Sequence, residues 1–270
     1  MDTPVRTGAE PAAGGLRPAD QLRAALDRAE LYMRYQPQVE VATRRVVGVE
    51  AFLAWDHPEA GPLTFRQFAA AAQEPGLLTA IGEWAIREAC TEAARWMHRY
   101  GNRLPVSVNV ASTQIVHSGF PYVVRGALTE AGLPPENLCL EVSDRSVTGT
   151  DSQTLRGLHE LRDQGVRFAI DDFGTGDTAH MRLKRFPIDQ LKIDERFVAK
   201  LGEEERAAQV VAAIVGIAHS MGAVAVAECV ETAAQHELLR EHDCDLAQGN
   251  LYCEPGDAAA LAASLRRLRF

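Results

Sequence analysis

Short apolar runs along this chain repeatedly end in a residue that can bind a metal or handle a proton. They read VVGVE ending at Glu50, VSVN at Asn109, LCLE at Glu141, FAIDD at Asp171 and Asp172, IDQLK at Lys192 and AVAE at Glu228. Carboxylates and an amide offer oxygen donors to a metal ion. Together these residue types point to a multi-metal site for phosphate chemistry.

One charged strand end means little, but the same device at strand after strand means the ends converge. Parallel strands in a closed sheet all point one way, and a (β/α)₈ barrel builds its active site on the C-terminal face. The intervals between the runs fit βα units of roughly 30 residues, with room for an extra helix in the first. The expected fold is an α/β (β/α)₈ TIM-type barrel with an N-terminal β-hairpin and one antiparallel strand. The hairpin is expected from Tyr32–Glu40 and Arg45–Trp55, which are joined by a short polar turn.

The remaining elements follow from periodicity and breakers. Asp20 is the expected N-cap of a first helix. Helices are predicted over Thr64–Gln73, Thr79–Tyr100, from after Val110 to about Ala131, over Ser152–Gln164, Glu203–Met221 and Ala233–His242, and over Asp257–Leu268. Strands are predicted over Pro105–Val110, Leu138–Val142, Arg167–Ile170, Ile188–Ile193 and Ala223–Ala227, with a short one at Leu246–Gln248. Residues 1–18, rich in Ala, Gly and Pro, read as a disordered tail or linker. Residues 19–270 read as one domain.

Composition narrows the function classes. A formal net charge of −9 argues against a binder of polymeric nucleic acid, although bound cations can reverse the local field for a small phosphorylated ligand. The five cysteines show no C-x-x-C pair, which suggests neither a disulfide framework nor a zinc knuckle, and reduced thiols of a cytoplasmic protein are the simpler expectation. No stretch approaches the roughly 18 apolar residues of a membrane span, and the N-terminus has no apolar core of a signal peptide. The eight histidines form no metal-ligand spacing.

Singly, each candidate has a plain structural alternative. Asp171 and Asp172 could cap a helix, Lys192 could snorkel to the surface, Glu228 could be an N-cap, Asn109 could turn the chain, and Glu141 could pair with an arginine. Jointly these alternatives weaken, because each would have to recur at a barrel spacing.

The chain resembles the EAL-domain phosphodiesterases, which hydrolyse the bacterial second messenger cyclic di-GMP. The matching segments are Tyr35-Gln36-Pro37, Glu50-Ala51-Phe52-Leu53, Val108-Asn109-Val110, Leu140-Glu141-Val142, DDFGTG at 171–176, LKID at 191–194, AECVE at 227–231 and Gln248-Gly249. The resemblance implies hydrolysis of cyclic di-GMP to linear pGpG with two Mg²⁺ or Mn²⁺ ions. Glu50, Asn109, Glu141 and Asp171 would hold one ion, and Asp171 or Asp172 would bridge to the second. Lys192 would orient the attacking water, and Glu228 would act as general base or position that water. Glu231 would support the metal ligands. Gln248, Phe52, Leu53 and Gln36 would contact the ligand, and Asp144, Thr175 and Gly176 would control a loop at the mouth. A homodimer or a regulatory partner chain is also implied.

The surroundings depart from the family pattern. Ala54 stands where the family carries a phosphate-contacting arginine, Phe52 replaces a leucine, and Asp144 replaces a glutamate. The loop reads Gly176-Asp177-Thr178-Ala179-His180 instead of G-Y-S-S-L; Cys229 replaces a glycine and Asn250 an aromatic. These changes leave the acidic set intact, yet they raise the alternative of a silent receptor that binds the nucleotide without cleaving it. Ala54→Arg is therefore expected to tighten cyclic di-GMP binding by up to roughly 1.5–3 kcal/mol, the strength of a charged hydrogen bond. KM should fall more than kcat rises, since the contact exists in ground and transition states alike. Steady-state kinetics beside calorimetry check this, and unchanged affinity would contradict it.

Overall fold

In the computed structural model, apolar strand residues turn outward and polar ones turn inward. The structure describes residues 17–267 except 75, 101–103, 148–149 and 175–184. Val106, Val108 and Val110, Leu138, Leu140 and Val142, Phe168 and Ile170, and Leu191 and Ile193 are all buried in one apolar cluster. They pack there with helix residues such as Ile86, Cys90, Phe120, Val124, Leu158, Leu161, Val211 and Ile214. Because strand side chains alternate between faces, the intervening Ser107, Asn109, Cys139, Glu141, Ala169, Asp171, Gln190 and Lys192 face the lumen. The V-S-V-N-V and L-C-L-E-V patterns are thus strands with an apolar outside and a polar inside.

The strands are β1 (Leu31–Glu40), β2 (Val46–His57), β3 (Gly61–Thr64), β4 (Val106–Val110), β5 (Leu138–Ser143), β6 (Arg167–Phe173), β7 (Gln190–Ile193), β8 (Val224–Ala227) and β9 (Leu246–Ala247). The sheet runs β1-β9-β8-β7-β6-β5-β4-β2-β3, and a further β1–β2 pairing closes eight strands into a barrel. β1 is antiparallel to both its neighbours, β2 and β9. The other ladders around the barrel are parallel. The expected TIM-type barrel with an N-terminal hairpin and one reversed barrel strand is the fold observed.

Several local expectations are corrected. The first helix, Pro18–Asp27, has Arg17 at its N-cap and Pro18 in its first turn. Asp20 lies inside that turn and pairs with Arg17 at 2.9 Å, so its carboxylate acts through the exposed helix start and not as the cap. Of the segment read as a tail, residues 1–16 lie outside the described residues, while Arg17 and Pro18 already belong to this helix. β3 was not expected: four residues too short to show a period pair antiparallel with β2, setting Thr64 opposite Ala54. Thr64 then opens helix Phe65–Ala72, its backbone N–H donating to Gln67 Oε1 at 2.8 Å. The single helix expected after Val110 is two, Ser112–Ile115 and Phe120–Ala131. Pro121 explains the break: it cannot donate within a continuing helix but suits a first turn.

A smaller apolar cluster gathers Leu22, Ala25, Leu31, Trp55, Phe68, Leu77 and Ile81. It fixes the first helix and helix Phe65–Ala72 beside the outer end of β2. Trp55 finds a polar partner there, its Nε1 donating to Glu30 Oε2 at 3.2 Å.

The end of the short strand β9 is held with unusual closeness. Gln248 N–H donates to the Ala227 carbonyl at 2.8 Å, and Val230 N–H donates to the Gln248 carbonyl at 2.9 Å. Gly249, with φ of 154°, lies so near that an added Cβ would stand 2.2 Å from Val230 N and 2.3 Å from its carbonyl oxygen. Gly222 has φ of 70° but open space around it. Gly249→Ala is expected to cost several kcal/mol, because backbone must move, and Gly222→Ala only about 1 kcal/mol of left-handed strain. Thermal or urea denaturation of the two variants checks this; equal losses would contradict it.

Candidate active site

At the C-terminal mouth of the barrel a single buried cation meets four carboxylates. Lys192, on β7, has no solvent exposure. Its Nζ lies 3.0 Å from Glu50 Oε2, 2.5 Å from Glu141 Oε2, 2.7 Å from Glu228 Oε1 and 3.6 Å from Asp171 Oδ1. The partners come from β2, β5 and β6 and from the chain leaving β8. Burial alone would push the Lys192 ammonium toward neutrality, but Asp171, Glu141, Glu228 and Glu50 outweigh it and hold its pKa well above the lysine range. Burial raises the Glu141 and Glu228 carboxyls, most of all through lost hydration, with the neighbouring acids adding and Lys192 opposing.

Polar neighbours extend the cluster. Asn109 Nδ2 donates to Glu50 Oε1 at 2.9 Å. Gln248 Nε2 donates to Glu50 Oε2 at 2.7 Å and to Gln36 Oε1 at 3.0 Å. Gln36 Nε2 donates in turn to the Cys253 carbonyl at 2.8 Å. Gln36 stands directly opposite Glu50 in the β1–β2 ladder, which is why both enter the lumen at one level.

The paired acids are separated by a backbone device. The β6–β7 ladder is irregular between Ile170 and Phe173, and Asp172 takes a left-handed φ of 56°. Its N–H donates back to Asp171 Oδ1 at 2.9 Å. This turn brings both adjacent acids to the same cleft, although regular extended backbone would send them to opposite faces. Burial, then Asp171 and Asp194, raise the Asp172 carboxyl.

The cleft at the mouth has a volume of about 800 Å³. Phe52, Leu53, Ala54, Asn109, Asp171 and Asp172 line it, with Leu53 also packing against both apolar clusters. The acids and Asn109 offer only oxygen toward a cation, and Glu141 Oε1 is buried without a hydrogen-bond partner. That donor chemistry fits a hard divalent ion. Among the described residues no three acids, cysteines or histidines stand together in metal-holding geometry; Lys192 holds the space between them.

Sequence comparison agrees with this architecture. The EAL domain family model matches residues 19–255. The chain belongs to the EAL domain family. The bifunctional diguanylate cyclase/cyclic di-GMP phosphodiesterase MucR of Pseudomonas aeruginosa is 38% identical over 244 residues, which cover 90% of this chain and 36% of that protein. The cyclic di-GMP phosphodiesterase NbdA of the same species is 36% identical over 256 residues, covering 94% and 33%. The chain thus spans about a third of these relatives' length. A solved PaMucR phosphodiesterase in complex with c-di-GMP superposes with a TM-score of 0.86 at 38% identity, covering 91% of this chain and all of that one. The EAL domain of Mycobacterium smegmatis DcpA gives 0.77 at 33% identity, covering 89% and 99%.

Within this EAL domain the expected residues separate into groups. Glu50, Asn109, Glu141, Asp171, Lys192, Glu228, Gln248 and Gln36 form one connected network. Glu231 does not join it: its carboxylate is exposed, and what ties it down is its N–H donating to Gln235 Oε1 at 2.8 Å, at the start of helix Ala233–Glu241. Its place after the left-handed Cys229, φ 53°, turns it away. Asp144 is buried at the start of helix Asp144–Val147. Thr175, Gly176 and the segment through His180 lie outside the described residues. Arg34 and Arg66, which were not expected, also line the cleft. The Arg34-Gln36-Gln38 alternation on β1 was the signal for Arg34.

Lys192→Met would leave four acids around an apolar side chain. Breaking a buried ion network in this way costs about 3–5 kcal/mol. A carboxyl raised by folding costs stability as pH climbs from the ordinary carboxylate range through its raised value. Glu141 and Glu228 are raised already, so the variant should lose more stability between pH 5 and pH 8 than the wild type. Urea titrations at both pH values check this, and a variant as stable as wild type at pH 8 would contradict it.

Proposed function

We propose that this chain hydrolyses one phosphodiester bond of cyclic di-GMP to give linear pGpG, using two Mg²⁺ or Mn²⁺ ions. The observation that carries the reading is Lys192, fully buried and held by Glu50, Glu141, Glu228 and Asp171 beneath a cleft of about 800 Å³. A structural core has no need of so costly a group of charges, and removal of that much hydration is repaid only where the charges serve each other or a ligand.

Glu50, Asn109, Glu141 and Asp171 would hold one ion, with Asp171 or Asp172 shared with the second. When bound, the ions would lower the pKa of a water and neutralise charge on the phosphate. The chain's own groups do the rest. Lys192, fixed on four sides, offsets the charge of Glu50, Glu141, Glu228 and Asp171 and holds them in one arrangement, so little reorganisation is needed during reaction. Glu228, whose proton affinity burial raises, accepts the proton of the attacking water. Gln248 and Gln36 hold Glu50 in one orientation through the bonds described above. Phe52 and Leu53 give the cleft an apolar wall for a nucleobase.

Ala54 keeps a second reading in view, a receptor that binds cyclic di-GMP without turnover. Glu228→Gln separates the two roles of the site. The amide preserves shape but cannot accept a proton. Hydrolysis should fall about 10²–10⁴-fold, while affinity for cyclic di-GMP stays near that of wild type. Product chromatography with Mg²⁺ or Mn²⁺, beside calorimetric binding, makes the measurement. Wild-type binding with no product at any metal concentration would establish the receptor reading instead. Unchanged hydrolysis in Glu228→Gln would remove the role given to that residue.

A further inference from the structure

We propose that Arg34 is the side chain that grips a ligand phosphate at this mouth. The inference rests on the reading that the cleft takes cyclic di-GMP. An anionic ligand meets a rim carrying Asp171 and Asp172, and a positive side chain within reach would hold it there in addition to the bound ions. Lys192 is already committed to four carboxylates and has no exposed surface. Ala54, on the same wall, carries no charge. Among the described residues that line the cleft, the other basic side chains are Arg34 and Arg66. Arg66 has a side chain 86% exposed and pairs with Glu195 at 3.4 Å, a contact that water and salt screen.

Arg34 is placed differently. It stands opposite Phe52 in the β1–β2 ladder, and Tyr32 stands opposite Ala54, so Arg34 is the diagonal cross-strand neighbour of Ala54. Met33 and Tyr35 on either side of it are buried in the outer apolar core. Alternation therefore turns Arg34 to the lumen side, one step above Gln36. Its guanidinium is half-buried, and its Nη2 donates to the Pro255 carbonyl. That acceptor is neutral, and among the described residues no carboxylate pairs with Arg34. A guanidinium carries five N–H donors in a planar fork that matches phosphate oxygens. One carbonyl fixes the fork's position and leaves most donors for a ligand. A cation held in a partly dry cleft, oriented but not neutralised, is suited to a phosphodiester.

The test is equilibrium binding of cyclic di-GMP to the wild type, Arg34→Ala and Arg34→Lys over a range of NaCl concentrations, with a thermal melt of each. Arg34→Ala should bind roughly 10- to 100-fold more weakly. Its affinity should also depend less steeply on salt, and Arg34→Lys should recover part of both. Wild-type affinity and salt dependence in Arg34→Ala would overturn the proposal. So would equal losses in Ala and Lys with a wild-type salt slope and a lowered melting temperature, the signature of a prop for Pro255. If the wild type itself does not bind cyclic di-GMP, the ligand reading fails first and the inference fails with it.

Discussion

The ammonium of Lys192 is the constraint around which this barrel is arranged. Stripping one lysine and several carboxylates of water costs several kcal/mol per ion unless they satisfy one another. Here the satisfaction is mutual and geometric: no strand supplies more than one partner, so the network exists only when β2, β5, β6, β7 and the end of β8 stand in register. Closure of the barrel and assembly of the site are therefore one event. The lysine also keeps four acids from repelling each other before any divalent ion arrives.

The polar lumen has a cost in ordinary core terms, which the outer layer offsets. Strand residues that would fill the interior of a typical barrel with branched aliphatics are here Ser107, Gln190, Gln36 and Gln38, each buried. The apolar cluster between sheet and helices carries the burial that holds the domain together. Division of labour between the two faces of each strand allows the inner face to be chosen for chemistry. It also places Glu50, Asn109, Glu141, Asp171 and Lys192 on strand backbone, the condition for a preorganised charge site.

Much of this was legible in the residues. The strand-end acids, Asn109 and Lys192 sit on runs whose period-two pattern is strong, and their spacing matches the βα unit, so both the barrel and the convergence follow. Other parts were hidden for physical reasons. β3 is too short to display alternation, and its pairing with β2 depends on the turn at Gly61, φ 73°. Asp171 and Asp172 are both expected at the site, but no pattern signals the left-handed backbone of Asp172, φ 56°, that brings them to one cleft. Glu231 is a site residue only by the resemblance carried by A-E-C-V-E at 227–231, and after the turn at Cys229, φ 53°, it lies exposed. Arg34 carries no strand-end signal, because β1 runs backwards and presents its early residues to the mouth.

The most direct test of the account is a Mn²⁺ titration followed by electron paramagnetic resonance, on the wild type and on Asp171→Ala. The wild type should take up two Mn²⁺ ions close enough to couple magnetically, and Asp171→Ala, which removes an acid that would hold the first ion, should lose the coupled signal. A wild-type protein that leaves all Mn²⁺ in its aqueous form, or a variant that gives the same coupled signal, would contradict the claim that these strand-end acids form a two-metal site.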